Sequence, residues 1–342
     1  MKRQMLLSIF LMALIVFLPA CLKNKEDVQA ELTPVSVQLK WLHQAQFAGN
    51  YVAKEKGIYE KYGLDVEEFE EFDFEKWPIA SVQNREVDFA ITGGEELVIA
   101  KSQGQASNVK AVAVIFKTNP VCLYSLKSSN ITKPVDFVGK TVGIERGADG
   151  EDVNVGMMYY AMMNKLGIPL EEVNEITIGY DATELLAGET DVSSGYIINE
   201  PHQVIEKGLD VDIILPASYG VNMYADVLIA HTDTIENNPE LVEGFVRATL
   251  EGWQYAIEDE KEAVDIVMSY AVDSSRSHQE YMLSKAIPLI HTGDSAIGMM
   301  EREEWESVNN ILLEQNVINK NVNLEDVYTL DFLNKIYKNK NT

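Results

Sequence analysis

Two stretches of the chain repeat one ordered pattern, VQNREVDFAITGGEE at residues 82–96 and LLAGETDVSSGYIINEP at residues 185–201. Each reads as the end of a helix, Glu-x-Asp, a short strand, a glycine-containing turn, an acidic residue and the start of another helix. Glu86 and Glu189 occupy equivalent positions, so the offset is 189 − 86 = 103 residues. Two similar α/β units this far apart predict two lobes of one architecture.

The segments around the repeat extend this α/β pattern. Strand-like alternation and helical periods follow one another near the start, at residues 35–39, 46–62 and 64–69. Residues 111–116 and 121–126 either pair as antiparallel strands or carry the chain from one lobe to the next. Residues 255–342 are helical in pattern and return to buttress the first lobe. The predicted division is a first lobe from residues 35–124 and 226–342 and a second lobe from residues 125–225.

The first residues have the layout of a secretory signal peptide. A basic start (MKRQ) precedes an uncharged apolar run, MLLSIFLMALIVF at residues 5–17, and Ala20 stands directly before Cys21. The alternative is a transmembrane anchor, because the uncharged stretch is near the lower limit for a span. The resemblance to a bacterial lipobox favours a lipoprotein signal at residues 1–20 and a flexible tether at residues 21–34. It predicts lipidation of Cys21 and an extracytoplasmic location on the bacterial cell membrane.

Composition excludes several classes of protein. The chain has 28 Lys and Arg against 54 Asp and Glu, a net charge of −26, whereas a general nucleic-acid binder needs clustered basic residues. Two cysteines, Cys21 and Cys122, cannot build a disulfide scaffold or, alone, a zinc site. The five histidines form no HExxH or similar metal spacing, and no GxSxG elbow is present. We therefore predict no catalytic residue, metal or cofactor, with Cys122 a buried thiol and His43 a surface or capping residue.

The ends of the predicted strands offer side chains for a small ligand. In open α/β sheets ligands bind outside the carboxyl ends of the strands, and rings with directed polar groups suit a planar heteroaromatic molecule with amine or amide edges. Trp41 is the strongest candidate because it directly follows a strand, whereas core packing is the alternative for any single tyrosine. The predicted ligand-binding residues are Trp41, Gln44, Gln46, Tyr51, Gly93, Glu95, Asn119, Tyr180, Tyr196, Asn199, Glu200 and Asn222.

The segment QLKWLHQAQFAGNYVAKEKGIYEKYGLDV at residues 38–66 resembles the solute-binding proteins of ABC importers for thiamine pyrimidine precursors and riboflavin. These proteins are related to the alkanesulfonate binders and to the yeast thiamine-pyrimidine synthase. The similarity continues through residues 88–94, 139–143 and 196–201. It implies a type II periplasmic-binding-protein fold, with two lobes and a hinge that close over one ligand. By this resemblance Trp41 and Tyr196 contact the ring, and Asn199-Glu200 bind its polar edge.

The resemblance predicts a monomeric, lipid-anchored protein that binds a pyrimidine precursor of thiamine and delivers it to an ABC permease and its ATPase. Riboflavin is the alternative ligand. A sulfonate, nitrate or taurine-type binder needs an anion site, which the many acids and few Lys or Arg of the predicted cleft disfavour. The synthase uses a cysteine-rich motif that this sequence lacks, so enzymatic activity is not expected. A sensor input domain would need a separate transmitter partner.

Overall fold

The computed structural model describes residues 31–73, 75–147, 154–293 and 295–338. The predicted signal peptide, Cys21 and most of the predicted tether lie outside these residues. From Leu32 onward the described chain forms one compact unit. Its strands are β1 (Thr33–Pro34), β2 (Val37–Gln38), β3 (Leu64–Asp65), β4 (Phe69–Glu70), β5 (Phe89–Thr92), β6 (Val109–Phe116), β7 (Val121–Leu126), β8 (Thr141–Glu145), β9 (Asn174–Ile178), β10 (Val192–Tyr196), β11 (Val211–Ile214) and β12 (Ala225–His231).

Two five-stranded sheets share one plan. The first has the order β4-β2-β5-β12-β6 and the second the order β9-β8-β10-β7-β11. In each sheet the first three strands are parallel and the fourth is antiparallel to its neighbours, whereas β1 pairs only with β3. We call the sheet β4-β2-β5-β12-β6, together with the helices packed on it, the first lobe. The sheet β9-β8-β10-β7-β11 and its helices form the second lobe. The structure therefore confirms the predicted α/β fold with two lobes of one architecture.

Helices cover both sheets. Those of the first lobe are α1 (Ala48–Glu55), α2 (Ile58–Lys61), α3 (Pro78–Gln83), α4 (Gly94–Ser102), α8 (Thr232–Asn237), α9 (Pro239–Glu258), α10 (Glu260–Val267), α11 (Arg276–Ile290), α12 (Arg302–Glu314) and α13 (Asp331–Lys338). Those of the second lobe are α5 (Asn154–Leu166), α6 (Thr183–Ala187) and α7 (Glu200–Glu206). Within the described residues, no helix is long and apolar enough to cross a bilayer.

The chain crosses between the lobes twice. It leaves the first sheet at the end of β6 and enters the second at β7, and it returns between β11 and β12. Residues 111–116 and 121–126 therefore do not pair with each other but carry the chain across. The predicted lobe boundary after residue 124 falls inside β7. The chain changes sheet at residues 117–120 instead, where Pro120 has no N–H for a sheet hydrogen bond.

Two helical predictions meet different outcomes. The helical pattern at residues 46–62 is divided into a 3₁₀ turn, α1 and α2, because Gly57 has φ 64°, a value that favours glycine. The helices after α9 pack on the first lobe as predicted: α11 lies against β6, α12 against α4, and α13 against α9 and β6. Buried aromatic rings fill the space between α9 and the first sheet. The rings of Phe245 on α9 and Phe89 on β5 are stacked, with their centroids 3.9 Å apart.

Candidate functional site

The two Glu-x-Asp motifs tie corresponding strands together. Asp88 Oδ2 accepts the backbone N–H and the hydroxyl of Ser36 at 2.9 and 2.8 Å. Asp191 Oδ2 accepts the backbone N–H of Thr141 at 2.9 Å. Each aspartate thus joins the start of the third parallel strand, β5 or β10, to the start of its neighbour, β2 or β8. The sequence repeat is therefore a structural repeat, and it aligns the carboxyl ends of these strands.

A glycine at the end of β5 and of β10 leaves room for a carboxylate. A Cβ on Gly93 would overlap the carboxylate of Glu95, and a Cβ on Gly195 would lie 2.6 Å from Glu200 Oε2. Both glutamates are buried. The backbone N–H of Tyr196 also donates to Glu200 Oε2 at 2.6 Å. Each lobe thus places one buried acid directly over the end of its third strand.

A row of aromatic rings joins the two lobes. Trp41 follows β2 and Tyr180 follows β9, and their ring centroids lie 5.7 Å apart. Phe72 stacks on Trp41 at 5.8 Å, and Trp77 contacts Phe72 edge-on at 5.5 Å. Tyr180 and Trp77 are 42% and 51% exposed, so the row runs from the lobe interface to the surface. Trp41 and Tyr180 are therefore brought together between the lobes.

Behind Trp41 lies a buried polar cluster of the first lobe. Gln46 Nε2 donates to both carboxylate oxygens of Asp226, at 2.9 and 3.0 Å, and Gln44 Nε2 donates to Gln46 Oε1 at 2.6 Å. Lys40 Nζ lies 3.7 Å from Asp226 Oδ1. Burial opposes the charge of Lys40, but Tyr196 and Asp226 help to hold its pKa above the ordinary value. Burial raises the pKa of Asp226 to about 6, against the effect of Lys40.

Glu95 stands where this cluster meets the second lobe. Neither of its carboxylate oxygens accepts a hydrogen bond of good geometry within the described residues. The amide of Asn154 is near enough to favour its charged form, but donates to the hydroxyl of Tyr196 at 2.6 Å. Burial and the neighbouring Glu96 raise the pKa of Glu95 to about 7, with Lys40 opposing. Glu95 is thus a buried acceptor group facing residues of the opposite lobe.

The second lobe carries a matching group of buried acids. Burial raises the pKa of Glu200 to about 7, although the backbone of Tyr196 favours the charged form. Burial and the charge of Glu200 raise the pKa of Glu145 well above its ordinary value. Among the described residues, Glu145 Oε1 and the hydroxyls of Tyr124 and Tyr281 have no hydrogen-bond partner. Buried polar atoms are normally paired, so this group has capacity for a ligand or water.

Four of the predicted contacts have other roles. Tyr51 is buried in the first lobe, with its hydroxyl 2.9 Å from His43 Nδ1 and its ring stacked on Tyr270 at 4.1 Å, so it packs in the core. His43, which is partly exposed, contacts the rings of both Tyr51 and Tyr270. The backbone N–H of Gly93 donates to Glu96 Oε2 at 2.7 Å and is not free for an anion.

Asn222 and Asn119 brace the crossings between the lobes. Asn222 Nδ2 donates to the carbonyl of Lys117 at 2.8 Å, and its Oδ1 accepts the backbone N–H of Asn119 at 3.0 Å. Asn222 therefore links the segment between β11 and β12, in which it lies, to the segment between β6 and β7. Asn119 Oδ1 accepts from the backbone of Val121 at 3.1 Å, and its Nδ2 has no partner among the described residues.

Five residues at the lobe interface are absent from the sequence-based prediction: Lys40, Asp226, Asn154, His278 and Tyr281. Lys40 lies inside the segment that carries the family resemblance, next to Trp41, and that position was the available signal. Lys40 is a basic side chain at the lobe interface, where the sequence predicts few Lys or Arg. His278 and Tyr281 lie on α11, which the sequence marks only as a buttress. The prediction for Cys122 holds, since burial raises the pKa of this buried thiol.

The arrangement is suited to binding. Acceptor groups stand on both lobes, Glu95 on the first and Glu145 and Glu200 on the second, and the rings of Trp41 and Tyr180 meet between the lobes. Buried carboxylates with free acceptor positions favour a ligand that presents N–H groups. The buried thiol of Cys122 has a raised pKa, which disfavours the thiolate that a nucleophile requires.

Two curated relatives are similar over nearly the whole chain. The riboflavin-binding protein RibY of Chloroflexus aurantiacus is 26% identical over 325 residues, covering 90% of this chain and 88% of the relative. A formylaminopyrimidine-binding protein of Halalkalibacterium halodurans is 26% identical over 331 residues, covering 94% of this chain and 97% of the relative.

A solved structure shares the fold. The periplasmic aliphatic sulphonate binding protein SsuA of Escherichia coli superposes with a TM-score of 0.69 at 13% sequence identity, covering 88% of this chain and 99% of that protein. The fold is therefore that of the two-lobed periplasmic binding proteins. The family model described as NMT1/THI5 like matches residues 44–263. This match spans most of both lobes, and the chain belongs to the NMT1/THI5-like family.

Proposed function

We propose that this protein is the solute-binding component of an ABC importer and that it binds a planar heteroaromatic ligand, first of all a pyrimidine precursor of thiamine. The observation that carries the proposal is Glu95, a buried carboxylate at the lobe interface whose two oxygens accept no hydrogen bond of good geometry from the residues that the structure describes. An aminopyrimidine offers amine hydrogens to such a group and a flat face to Trp41 or Tyr180. The formylaminopyrimidine-binding relative supports this choice.

Riboflavin is the second candidate. The row formed by Trp77, Phe72, Trp41 and Tyr180 extends beyond the length of a single six-membered ring, which suits a longer fused ring system. The relative named for riboflavin is as similar in identity as the pyrimidine binder. A sulfonate is disfavoured, because the buried charge of Lys40 already faces Asp226, Glu95 and Glu96.

We propose that the two lobes close over the ligand and that the protein does not alter the ligand chemically. A ligand held by residues of both lobes binds the closed form more tightly and shifts the population toward it. The permease would then recognise that form and receive the ligand. Trp41 and Tyr180 would contact its rings, while Glu95 and Glu200 would accept its hydrogen bonds.

The test is a titration of the purified mature protein with formylaminopyrimidine and with riboflavin, followed by calorimetry. We expect Trp41→Ala to weaken binding by at least ~1 kcal/mol, or about fivefold, the scale of an aromatic stacking contact. Trp77→Ala is the matched control in the formylaminopyrimidine titration, because Trp77 lies at the exposed end of the row, away from the single ring that Trp41 would contact. Failure of both compounds to bind, or equal affinity in a folded Trp41→Ala variant, would contradict the proposal.

The same proposal places the protein outside the cell membrane as a monomer, held by lipid on Cys21. This attachment is a separate property from ligand binding. Expression of a Cys21→Ser variant in a bacterial host should shift the protein from the membrane fraction to the soluble extracytoplasmic fraction. Continued lipid labelling of that variant would show that the anchor is elsewhere.

A further inference from the structure

A chain of hydrogen bonds links the second lobe to α11 of the first. Glu200 Oε1 accepts from Asn199 Nδ2, and Asn199 Oδ1 lies 2.8 Å from His278 Nε2. His278 Nδ1 in turn lies 2.9 Å from His202 Nδ1. Glu200, Asn199 and His202 belong to the start of α7 in the second lobe, whereas His278 is on α11. The series of contacts therefore runs from Glu200 and Asn199 of the second lobe to His278 of the first lobe. From His278 it continues to His202, which is again in the second lobe.

The direction of each hydrogen bond follows from the acid at its end. Above its pKa of about 7, Glu200 is ionised and accepts at both oxygens, and its Oε2 receives the backbone N–H of Tyr196 at 2.6 Å. Asn199 must then turn its NH₂ group toward Glu200 and its oxygen toward His278. That oxygen requires a proton on His278 Nε2. In a neutral ring Nδ1 is therefore an acceptor, and His202 donates to it from its own Nδ1.

Protonation of His278 would disturb this arrangement. With both ring nitrogens protonated, His278 Nδ1 would no longer accept from His202 across 2.9 Å. The contact would then persist only if His202 moved its proton from Nδ1 to Nε2 and so withdrew it from Glu206 Oε1, which lies 3.8 Å from His202 Nδ1. Protonation of His202 does not have this effect, since its Nδ1 is already the donor. Burial and the neighbouring His202 lower the pKa of His278, while Glu206 opposes that shift. The arrangement in which His278 contacts both Asn199 and His202 therefore favours the neutral form of His278.

The surroundings contain few other groups that titrate in the same range. The charged and titratable groups facing this chain of contacts are Glu200, His202 and Glu206 on α7, Arg276, Glu280 and Tyr281 on α11, Asp265 on α10, and Glu145 and Cys122 on the second sheet. Arg276 pairs with Asp265 at 2.7 Å. Glu206 accepts from the hydroxyls of Ser275 and Ser277 at 3.3 and 3.1 Å, which adds neutral contacts between the same two helices. Burial raises the pKa of Glu200 to about 7 and that of Glu145 well above its ordinary value.

We propose that His278 is a positioning residue that orients Glu200 for its ligand through Asn199, and that it makes closure of the lobes depend on pH. This inference rests on the proposed binding function, because Glu200 is one of the proposed ligand contacts. Neutral His278 joins the lobes and holds the carboxamide of Asn199 in the orientation that supports the Glu200 carboxylate. Acid conditions protonate His278 in the open form, where it is free of His202, and so favour opening.

The first test compares wild type with His278→Gln. Glutamine retains one donor and one acceptor but does not titrate. The affinity for formylaminopyrimidine and for riboflavin is measured between about pH 7.5 and about pH 5.5, a range centred on the ordinary pKa of histidine. The ratio of the variant's affinity to the wild-type affinity should rise by roughly threefold or more as pH falls, because only the wild type loses the His202 contact. Titration of Glu200 and Glu145 is common to both proteins and cancels in the ratio.

The control is His291→Gln, which removes a histidine that takes no part in these contacts, and its ratio to wild type should stay constant. A constant ratio for His278→Gln would overturn the proposal. The second test needs no ligand and so separates this inference from the proposed function. In ¹⁵N-labelled protein at about pH 7.5, the ring of His278 should be the Nε2–H tautomer. A His278 ring that is protonated on Nδ1, or that exchanges between the two tautomers, would contradict the proposed directions of these hydrogen bonds and overturn the proposal.

Discussion

At the scale of single residues, small side chains decide where the buried acids stand. Gly195 is the second-last residue of β10 and leaves space for the carboxylate of Glu200, and Gly93, which follows β5, does the same for Glu95. Neither glycine has the positive φ that favours glycine at Gly57. They are needed here for the close approach of a carboxylate to the backbone. The sequence pattern indicated a turn at both positions and did not reveal this steric reason.

We predict that Gly195→Ala weakens ligand binding by roughly tenfold, the value of a hydrogen bond to a charged group. The new Cβ would lie 2.6 Å from Glu200 Oε2 and must displace that carboxylate. Calorimetry of the variant measures the loss. In a Glu200→Ala background the same substitution should cost nothing further, because the displaced group is gone. An equal loss in both backgrounds would show that Gly195 acts on something other than Glu200.

At the scale of elements, α1 and α9 are packed unusually closely. A Cβ on Gly252 of α9 would overlap the backbone of Gly49 on α1, and a Cβ on Gly49 would overlap the ring of Trp253. Both glycines lie inside helices, where glycine is intrinsically unfavourable. The close approach therefore explains their presence. It also holds the 3₁₀ turn and Gln46 against β12, where Gln46 meets Asp226.

Gly252→Ala should destabilise the protein by about 1–3 kcal/mol, the usual cost of overpacking a tight interface. Gly244→Ala on the same helix is the matched control. A Cβ there meets its nearest atoms at 3.5 Å, an ordinary contact, so it should raise stability by about 0.5–1 kcal/mol through helix propensity. Urea unfolding of the two variants measures both effects. Similar changes in the two would contradict the packing explanation.

At the scale of the whole molecule, buried acids shape the response of stability to pH. Burial raises the pKa of Glu95 and of Glu200 to about 7, and that of Asp226 to about 6. Each folded-state pKa lies above the unfolded value, so the folded protein binds more protons between these two values. The free energy of unfolding should then increase as pH falls from about 7.5 to about 5. The net charge of −26 acts in the same direction, because protonation relieves repulsion.

We therefore predict a Tm that rises by several degrees between about pH 7.5 and about pH 5, measured by differential scanning calorimetry. The lowered pKa values of His43 and His278 act in the opposite direction, but they are two groups against four acids, because burial also raises the pKa of Glu145. Glu95→Gln should reduce the slope, since one of the four acids is removed. A wild-type Tm that falls over this range would contradict the protonation states assigned to these acids.

Part of the site could be predicted because its signals are local in the chain. Trp41, Glu95, Tyr196 and Glu200 each follow a strand that the alternation of residues reveals, and strand ends are where ligands meet α/β sheets. The sequence pattern could not distinguish Tyr51 from these residues. An aromatic residue in a helix gives the same periodic pattern whether its side chain faces the core or the ligand cleft. Asn222 lies in a crossing segment, and its role depends on a partner about a hundred residues away.

The sequence by itself determined the α/β architecture of this protein, its division into two like lobes and the acids at their strand ends. These follow from periodicity and from a repeat, which are properties of neighbouring residues. The tertiary structure alone decided that Lys40 meets Asp226 and that His278 on α11 meets Asn199 on α7. Such contacts join segments far apart in the chain. Only the pairing of β12 with β5 in the first sheet and the packing of α11 against the second lobe bring them together.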